Sequence, residues 1–284
     1  MKKFISIILA LTLLAVPACL ISCGNEKDTE ATKVIDINLT EEDYAFGVDK
    51  AQPELLEAVN AFVKKIKGDG TLEEICDKYF SGGEPTPVTS AALDESKDQL
   101  VVATNAAFAP FEYTEGDKYL GIDMEIAKLL ADELGKELVI QHMDFDAVCL
   151  AVGQHKCDIA MAGLTVNEER EEHVTFSEPY YAASQKLIVK GDDTTFDECK
   201  TVEDVEKILN GFDKSTKIGV QDGTTGQLYS AGDADWGFDG FPVSTIGYKN
   251  GSLAVQDMIN GNIDYVIIDA APAEVISESI NKMN

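Results

Sequence analysis

Short runs of β-branched and aliphatic residues alternate with amphipathic stretches along most of this chain, and that alternation restricts the fold to layered α/β architectures rather than bundles or sandwiches. Residues 100–104 (LVVAT) read as a buried strand. Residues 123–134 carry Ile126, Leu129, Leu130 and Leu134 at helical spacing, with Gly135 as the stop signal. Strands are expected at 139–141, 159–162 and 186–190, with a helix around 145–152. After Gly191 the pattern restarts with a helix at 202–209, a strand at 217–220, a helix near Thr225, a helix at 253–260, a strand at 265–269 and a helix at 271–280. Two α/β units joined near residue 190 are implied.

The start of the chain carries an address. Lys2 and Lys3 precede an apolar run over residues 4–18, a layout of a secretory signal over residues 1–22 that is too short and wrongly flanked for a transmembrane helix. Leu20-Ile21-Ser22-Cys23 resembles a bacterial lipobox, which implies cleavage before Cys23 and a diacylglycerol on its sulfur. Residues 23–32 would then be a polar tether to the membrane. Removing residues 1–22 deletes two lysines and no acid, so the formal charge of −28 becomes −30. Such a surface excludes nucleic acid as a partner, because phosphate binding needs a basic face. Cys76, Cys149, Cys157 and Cys199 are scattered without a CxxC pair, and His142, His155 and His173 lack metal-ligand spacing. Neither a metal nor another cofactor is expected. Cys149 and Cys157 read as small buried thiols, with a bridge between them as the alternative.

Among 23 basic side chains there is a single arginine, Arg170. A guanidinium differs from an ammonium in its planar donor fork, which fits a carboxylate with two bonds. Arg170 is thus a candidate ligand-binding residue; by position alone, beside Glu168, Glu169, Glu171 and Glu172, it reads first as a solvated residue at a helix start.

Several motifs then occur in a fixed order: Thr104-Asn105-Ala106-Ala107-Phe108-Ala109-Pro110-Phe111-Glu112-Tyr113, Gly121-Ile122-Asp123, Asp144-Phe145-Asp146, Asp158-Ile159-Ala160-Met161-Ala162-Gly163, Thr165 through Arg170, Phe176-Ser177, Tyr180-Tyr181, and Gly219 through Thr224. This series resembles the bacterial extracellular solute-binding proteins of family 3, the amino-acid receptors of polar amino-acid ABC transporters. The resemblance covers residues 98–284 and implies a two-lobed periplasmic-binding-protein-like (type II) α/β fold with hinge strands. It also implies an extracytoplasmic receptor without chemistry of its own, serving an ABC transporter permease.

One segment is out of place relative to that family, whose C-terminal end resembles residues 35–80 here. A circular permutation accounts for this, because residues 33–80 supply the missing part once, without duplication. The expected organisation is a permuted segment at 33–80 (end of the second lobe, a hinge strand, helices of the first), a linker at 81–97 joining the old termini, the first lobe at 98–188 and the second at 189–284. Crossing hinge strands are expected near 187–190 and 44–48. The linker contains Gly82, Gly83, Pro85 and Pro87.

The resemblance also assigns a site in the cleft between lobes. Arg170 would take the α-carboxylate of an L-amino acid, helped by Gly163, Thr165 and the amide donors near Thr225. Asp269 would take the α-ammonium, although at the start of a helix it reads as well as an N-cap. Phe108 and Phe145 match aromatic positions that sandwich ligand side chains, and would otherwise be core. Asn105, Gln221 and Ile268 stand where relatives carry charged or ionisable residues, which implies a neutral ligand side chain. An enzyme of dehydratase type on the same scaffold, needing a poised acid such as Glu112, Asp123 or Asp146, and an amino-acid sensor domain are the competing functions.

Overall fold

The computed structural model describes residues 30–283; the expected signal sequence and the lipid-acceptor Cys23 lie outside the described residues. In chain order the elements are β1 (Thr32–Ile35), β2 (Glu42–Tyr44), β3 (Gly47–Asp49), α1 (Pro53–Gly68), α2 (Thr71–Phe80), β4 (Gln99–Thr104), β5 (Tyr113–Glu115), β6 (Lys118–Leu120), α3 (Ile122–Leu134), β7 (Glu137–His142), α4 (Val148–Gly153) and β8 (Ile159–Ala160). There follow α5 (Glu168–Glu171), β9 (Val174–Phe176), β10 (Tyr181–Ala183), β11 (Gln185–Lys190), α6 (Val202–Leu209), β12 (Lys217–Gln221), α7 (Thr225–Ala231), β13 (Ser244–Tyr248), α8 (Gly251–Ile259), β14 (Tyr265–Asp269) and α9 (Ala270–Asn281).

Two five-stranded sheets define two lobes, with strand orders β7-β4-β8-β3-β9 and β1-β11-β14-β12-β13. In each, the central strands run parallel and are apolar because helices cover both faces: β4 pairs with β7 and β8, and β12 with β13 and β14, all in parallel. Every residue of β14 is buried, so its continuous YVIID run carries no alternation. The helices show the converse. In α3, Ile122, Ile126 and Leu130 are fully buried while Leu129, on the same sequence stretch, is 38% exposed on the outer face.

The N-terminal segment threads both lobes. β1 forms the edge of the second sheet against β11, whereas β3 lies inside the first sheet between β8 and β9, antiparallel to each. Val59, Phe62, Val63 and Ile66 of α1 are buried in the same core as Leu100, Ile126 and Ile159. The start of β1 is fastened to the end of α9: the Thr32 N–H donates to Asn281 Oδ1 (3.1 Å) and Asn281 Nδ2 donates to the Thr32 carbonyl (2.8 Å). Residues 32 and 281 are therefore neighbours.

Three expectations need correction. The hinge pairing is β2 with β10, Tyr44 opposite Tyr181, and β11 lies wholly within the second sheet, so the chain crosses several residues before 187–190. The β-branched run at 186–190 suggested a crossing strand, but it is a buried interior strand. Residues 145–147 form a 3-10 turn before α4 rather than one continuous helix. The expected linker is no loose connector. Val88 exchanges backbone hydrogen bonds with Tyr119 and is only 3% exposed, the Ile140 N–H donates to Ser90 Oγ, and the Thr86 N–H reaches buried Glu125, which also holds Lys78 and Tyr79.

Removing β3 would leave the facing edges of β8 and β9 unpaired in mid-sheet and uncover the buried face of α1's binding surface. A chain lacking residues 30–80 is expected to accumulate in the insoluble fraction or to lose its cooperative urea transition. Soluble protein with an unchanged transition would show that the segment is an appendage.

Candidate functional site

Arg170 sits on the single-turn helix α5, whose N-cap Asn167 accepts from the Arg170 backbone N–H at 2.7 Å. Its side chain turns inward and is only 8% exposed, which sets aside the solvated alternative. Nη1 donates to the Thr165 carbonyl (2.6 Å), and Nη2 donates across the cleft to the Gly223 carbonyl (3.0 Å) between β12 and α7. The guanidinium carbon lies 5.1 Å from the Phe145 ring centroid, a cation–π contact. With five N–H donors on a guanidinium, three stay available for an anion.

The buried carboxylate that the Arg170 charge acts on is Asp269. It occupies the N-cap position of α9 but makes no capping bond with its side chain. Its carboxylate instead accepts from the Tyr44 hydroxyl (2.7 Å) and from the Gln185 side-chain amide. Burial pushes its pKa up to about 7, the nearby Glu42 charge adds to the rise, and the Tyr44 and Gln185 bonds and the Arg170 charge oppose it. Glu42 of β2 is equally buried and accepts from Thr40 Oγ1 (2.5 Å), Thr165 Oγ1 (2.6 Å) and Gln185 Nε2 (3.0 Å).

Two expected donors are otherwise engaged. The Thr165 hydroxyl gives its proton to Glu42, so its oxygen is the acceptor for the Thr225 hydroxyl at 3.3 Å from the other lobe. The Gly163 N–H donates to Asp123 Oδ2 at 2.9 Å rather than into the cleft. Gly163 serves differently: its φ of +54° and a Cβ position 2.9 Å from the Phe108 ring permit no side chain there.

The far end of the cleft is uncharged. Asn105 Nδ2 donates to the Met143 carbonyl, and Gln221 Nε2 donates to Asn105 Oδ1 across the lobes at 3.3 Å. Phe108 stacks on Phe111 with centroids 6.1 Å apart and forms the wall of a cavity of about 450 Å³ that continues past Ile268 to Asn250 and Gln256.

Sequence reasoning missed Glu42, Tyr44, Gln185 and Tyr180. Tyr180 lies in the Tyr180-Tyr181 motif but was given no role; for the others only the alternation in Glu42-Asp43-Tyr44 and Ser184-Gln185 hints that polar side chains point inward from short strands. Glu112, named as a candidate acid, has buried carboxyl oxygens with no hydrogen-bond partner among the described residues. Burial, then the Asp123 and Asp269 charges, hold its pKa well above the carboxylate range. Asp123 accepts from the Tyr180 hydroxyl (2.6 Å) as well as Gly163 and is raised by burial to about 7. Among the described residues no His, Cys, Asp and Glu cluster could hold a metal ion, no helix is long and apolar enough to cross a membrane, and the four cysteines are free.

The family model for bacterial extracellular solute-binding proteins, family 3, matches residues 100–267, more than half of the chain. The chain belongs to that family. It is 36% identical over 104 residues to the arginine-binding extracellular protein ArtP of Bacillus subtilis, covering 37% of this chain and 41% of that protein. The crystal structure of the ancestral amino acid-binding protein AncCDT-1, a precursor of cyclohexadienyl dehydratase, superposes with a TM-score of 0.54 at 28% identity, covering 74% of this chain and 78% of that one. An ancestral arginine-binding protein bound to arginine gives 0.54 at 33% identity, covering 64% and 75%. The fold of the family members is thus a two-lobed periplasmic-binding-protein-like one. The chain spans less than two thirds of the length of the curated relatives it matches first.

Two buried acids with raised pKa values make the ligand-free protein sensitive to pH. Asp123 and Asp269 start from an ordinary value of 3.8 and reach about 7 in the fold, so their contribution to stability is full below the first value and is lost as pH rises through the second. The thermal midpoint of the ligand-free protein is expected to fall between pH 5 and pH 8 (~3 pH units), and Asp123→Asn to flatten that slope. Carboxylates with lowered values, such as Asp49, act at the acid end outside this window. A midpoint that rises across the same range would contradict the assignment.

Proposed function

We propose that this protein is an extracytoplasmic receptor that closes around an L-amino acid with a neutral side chain and delivers it to the permease of an ABC importer. The observation that carries the reading is the burial of the Arg170 guanidinium, bonded to both lobes, within electrostatic reach of the buried Asp269 carboxylate. A zwitterion with its carboxylate toward one and its ammonium toward the other satisfies both charges, which neither water nor a simple anion does. The uncharged Asn105 and Gln221 pair at the other end supports a neutral side chain, with Phe108 and Phe145 flanking it. Gly163 and Thr165 shape the wall beneath the carboxylate, and Thr225 closes it from the second lobe.

Binding rather than catalysis is supported by the family and by the state of Asp269 and Asp123. Both oxygens of Asp269 and of Asp123 already accept from protein donors, which leaves them poorly placed to take a substrate proton. Membrane anchoring through a lipid on Cys23 is part of the proposal and rests on the sequence alone. Thermal scanning of the purified protein with each of the twenty protein amino acids tests the function, since a ligand of the native state raises the midpoint. A neutral amino acid is expected to give the largest shift. A larger shift with arginine or histidine would move the assignment to cationic ligands.

Arg170→Ala is expected to abolish binding with the fold intact, because the ligand carboxylate would enter the closed cleft unpaired at a cost of ~2–5 kcal/mol. Arg170→Lys should restore it only in part, a point charge replacing a fork. Titration calorimetry on the two variants decides this, and wild-type affinity in the alanine variant would remove the residue from the site.

We also propose that the chain is a circular permutant of its family. Support comes from β3 lying inside the first sheet, from the fastening of Thr32 to Asn281, and from a family match that begins only at residue 100. Moving residues 30–80 behind residue 284, with 81–95 removed, is expected to give a soluble protein that binds the same ligand with similar affinity. Loss of folding in that rearranged chain would count against permutation.

A further inference from the structure

We propose that Glu42 is a second acid for the ligand's α-ammonium, so that the N-terminal segment supplies a specificity-determining contact and the ammonium is held between two carboxylates, those of Glu42 and Asp269. The inference rests on the amino-acid reading above and deepens it. Its geometric basis is Gln185. A single nitrogen, Nε2 of that side chain, donates to Glu42 Oε1 at 3.0 Å and to Asp269 Oδ2 at the same time. The two carboxylates are thus close enough for one nitrogen to bond both, and an ammonium has three N–H donors where an amide has two.

The placement of Glu42 along the cleft agrees. Its other oxygen accepts from Thr165, whose carbonyl holds Arg170, so Glu42 spans the distance between the cationic and anionic ends of the site. All of the donors it meets are neutral: Thr40, Thr165 and Gln185. A buried carboxylate without a cation is costly unless one is delivered to it. Gln185, wholly buried, leaves Oε1 without a hydrogen-bond partner among the described residues, a further acceptor beside the same pair.

The charged and titratable groups facing Asp269 from the packed elements are Glu42 and Tyr44 from the N-terminal segment, Arg170 from α5, Glu112 from the turn before β5 and Tyr181 from β10. Of these only Arg170 is cationic, and its charge is committed to the ligand carboxylate. In the ligand-free protein the pair is relieved by a proton on Asp269. When the ammonium binds, that proton leaves to solvent and the ammonium takes its place, with no bond made or broken elsewhere. Binding is then accompanied by proton release, and affinity rises with pH through neutrality until the ligand's own amine begins to deprotonate.

The test uses the full mature chain and the amino acid giving the largest thermal shift among the twenty. Calorimetric titrations at pH 6 and pH 8, in phosphate and in Tris, read both affinity and protons released. Wild type is expected to bind more tightly at pH 8 and to release protons in the lower range. Glu42→Gln keeps an acceptor for Thr165 but removes the charge; it should weaken binding at pH 8 by about tenfold or more and flatten the pH profile. Its ligand-free thermal midpoint at pH 8 should equal or exceed that of wild type, which separates a lost contact from a damaged fold. Wild-type affinity with wild-type proton release in Glu42→Gln overturns the proposal while leaving the amino-acid reading intact. If wild type responds to none of the twenty, the amino-acid reading fails, and this contact fails with it.

Discussion

The cleft depends on one hydrogen bond between segments 225 residues apart, from the Tyr44 hydroxyl to Asp269. Tyr44 is wholly buried, stacks edge-on to Phe111 at 5.1 Å, and lies on the strand that crosses between lobes. Its hydroxyl fixes the Asp269 carboxylate away from its own helix and toward the cleft. Without that partner, the carboxylate at the head of α9 would have the free backbone N–H groups of the first turn as its nearest alternative. One phenol thereby decides whether an aspartate serves as a helix cap or as a binding group, and it comes from a part of the chain that the family motifs do not include.

The contacts that close the lobes are few and mostly uncharged. Arg170 to Gly223, Gln221 to Asn105 and Thr225 to Thr165 are single hydrogen bonds, and the ion pair of Lys249 with Asp144 is exposed on both sides. Each neutral bond contributes about 1 kcal/mol net, and the surface pair less. Such weak polar contacts across the seam are ones that a ligand engaging both lobes could reinforce. The strong interactions, in contrast, run within a lobe or through the hinge: the apolar strands, the Asp123 bonds to Tyr180 and Gly163, and the Glu42 bonds. Lobes with strong internal contacts and a seam of single polar bonds agree with the proposed hinge receptor.

Elements buried on both faces were legible in the sequence, because they depend on apolar content alone: β4, β14 and the spacing within α3 lie where composition and period place them. Short and exposed strands were not. β5 and β6 form a three-residue hairpin with polar tips, and β13 is only partly buried, so neither shows a strong pattern. Within the site, Arg170 stood out because its chemistry is unique in the chain. Asp269 stayed ambiguous, since its fate is set by Tyr44. Glu42 and Gln185 were invisible for a related reason: a buried acid and a buried amide look like surface residues until tertiary structure supplies their partners.

The order of segments matters less to such a fold than the places where the chain is cut. The ends of the described chain, near residues 32 and 281, lie side by side at the rim of the second sheet, held by hydrogen bonds between Thr32 and both Asn281 and Ser277. The segment between α2 and β4 is bound along β6 and β7 by its own backbone hydrogen bonds, so in the proposed permutation a join there would cost little conformational freedom. In the proposed permutation neither break falls at these groups: Glu42 and Tyr44 lie on β2, Arg170 on α5 and Asp269 at the end of β14. A reordered chain can therefore keep the same charges at the same separations. What it cannot lose is the crossing strand that carries Glu42 and Tyr44, because that strand pairs with β10 between the lobes and holds Asp269 through the Tyr44 hydroxyl.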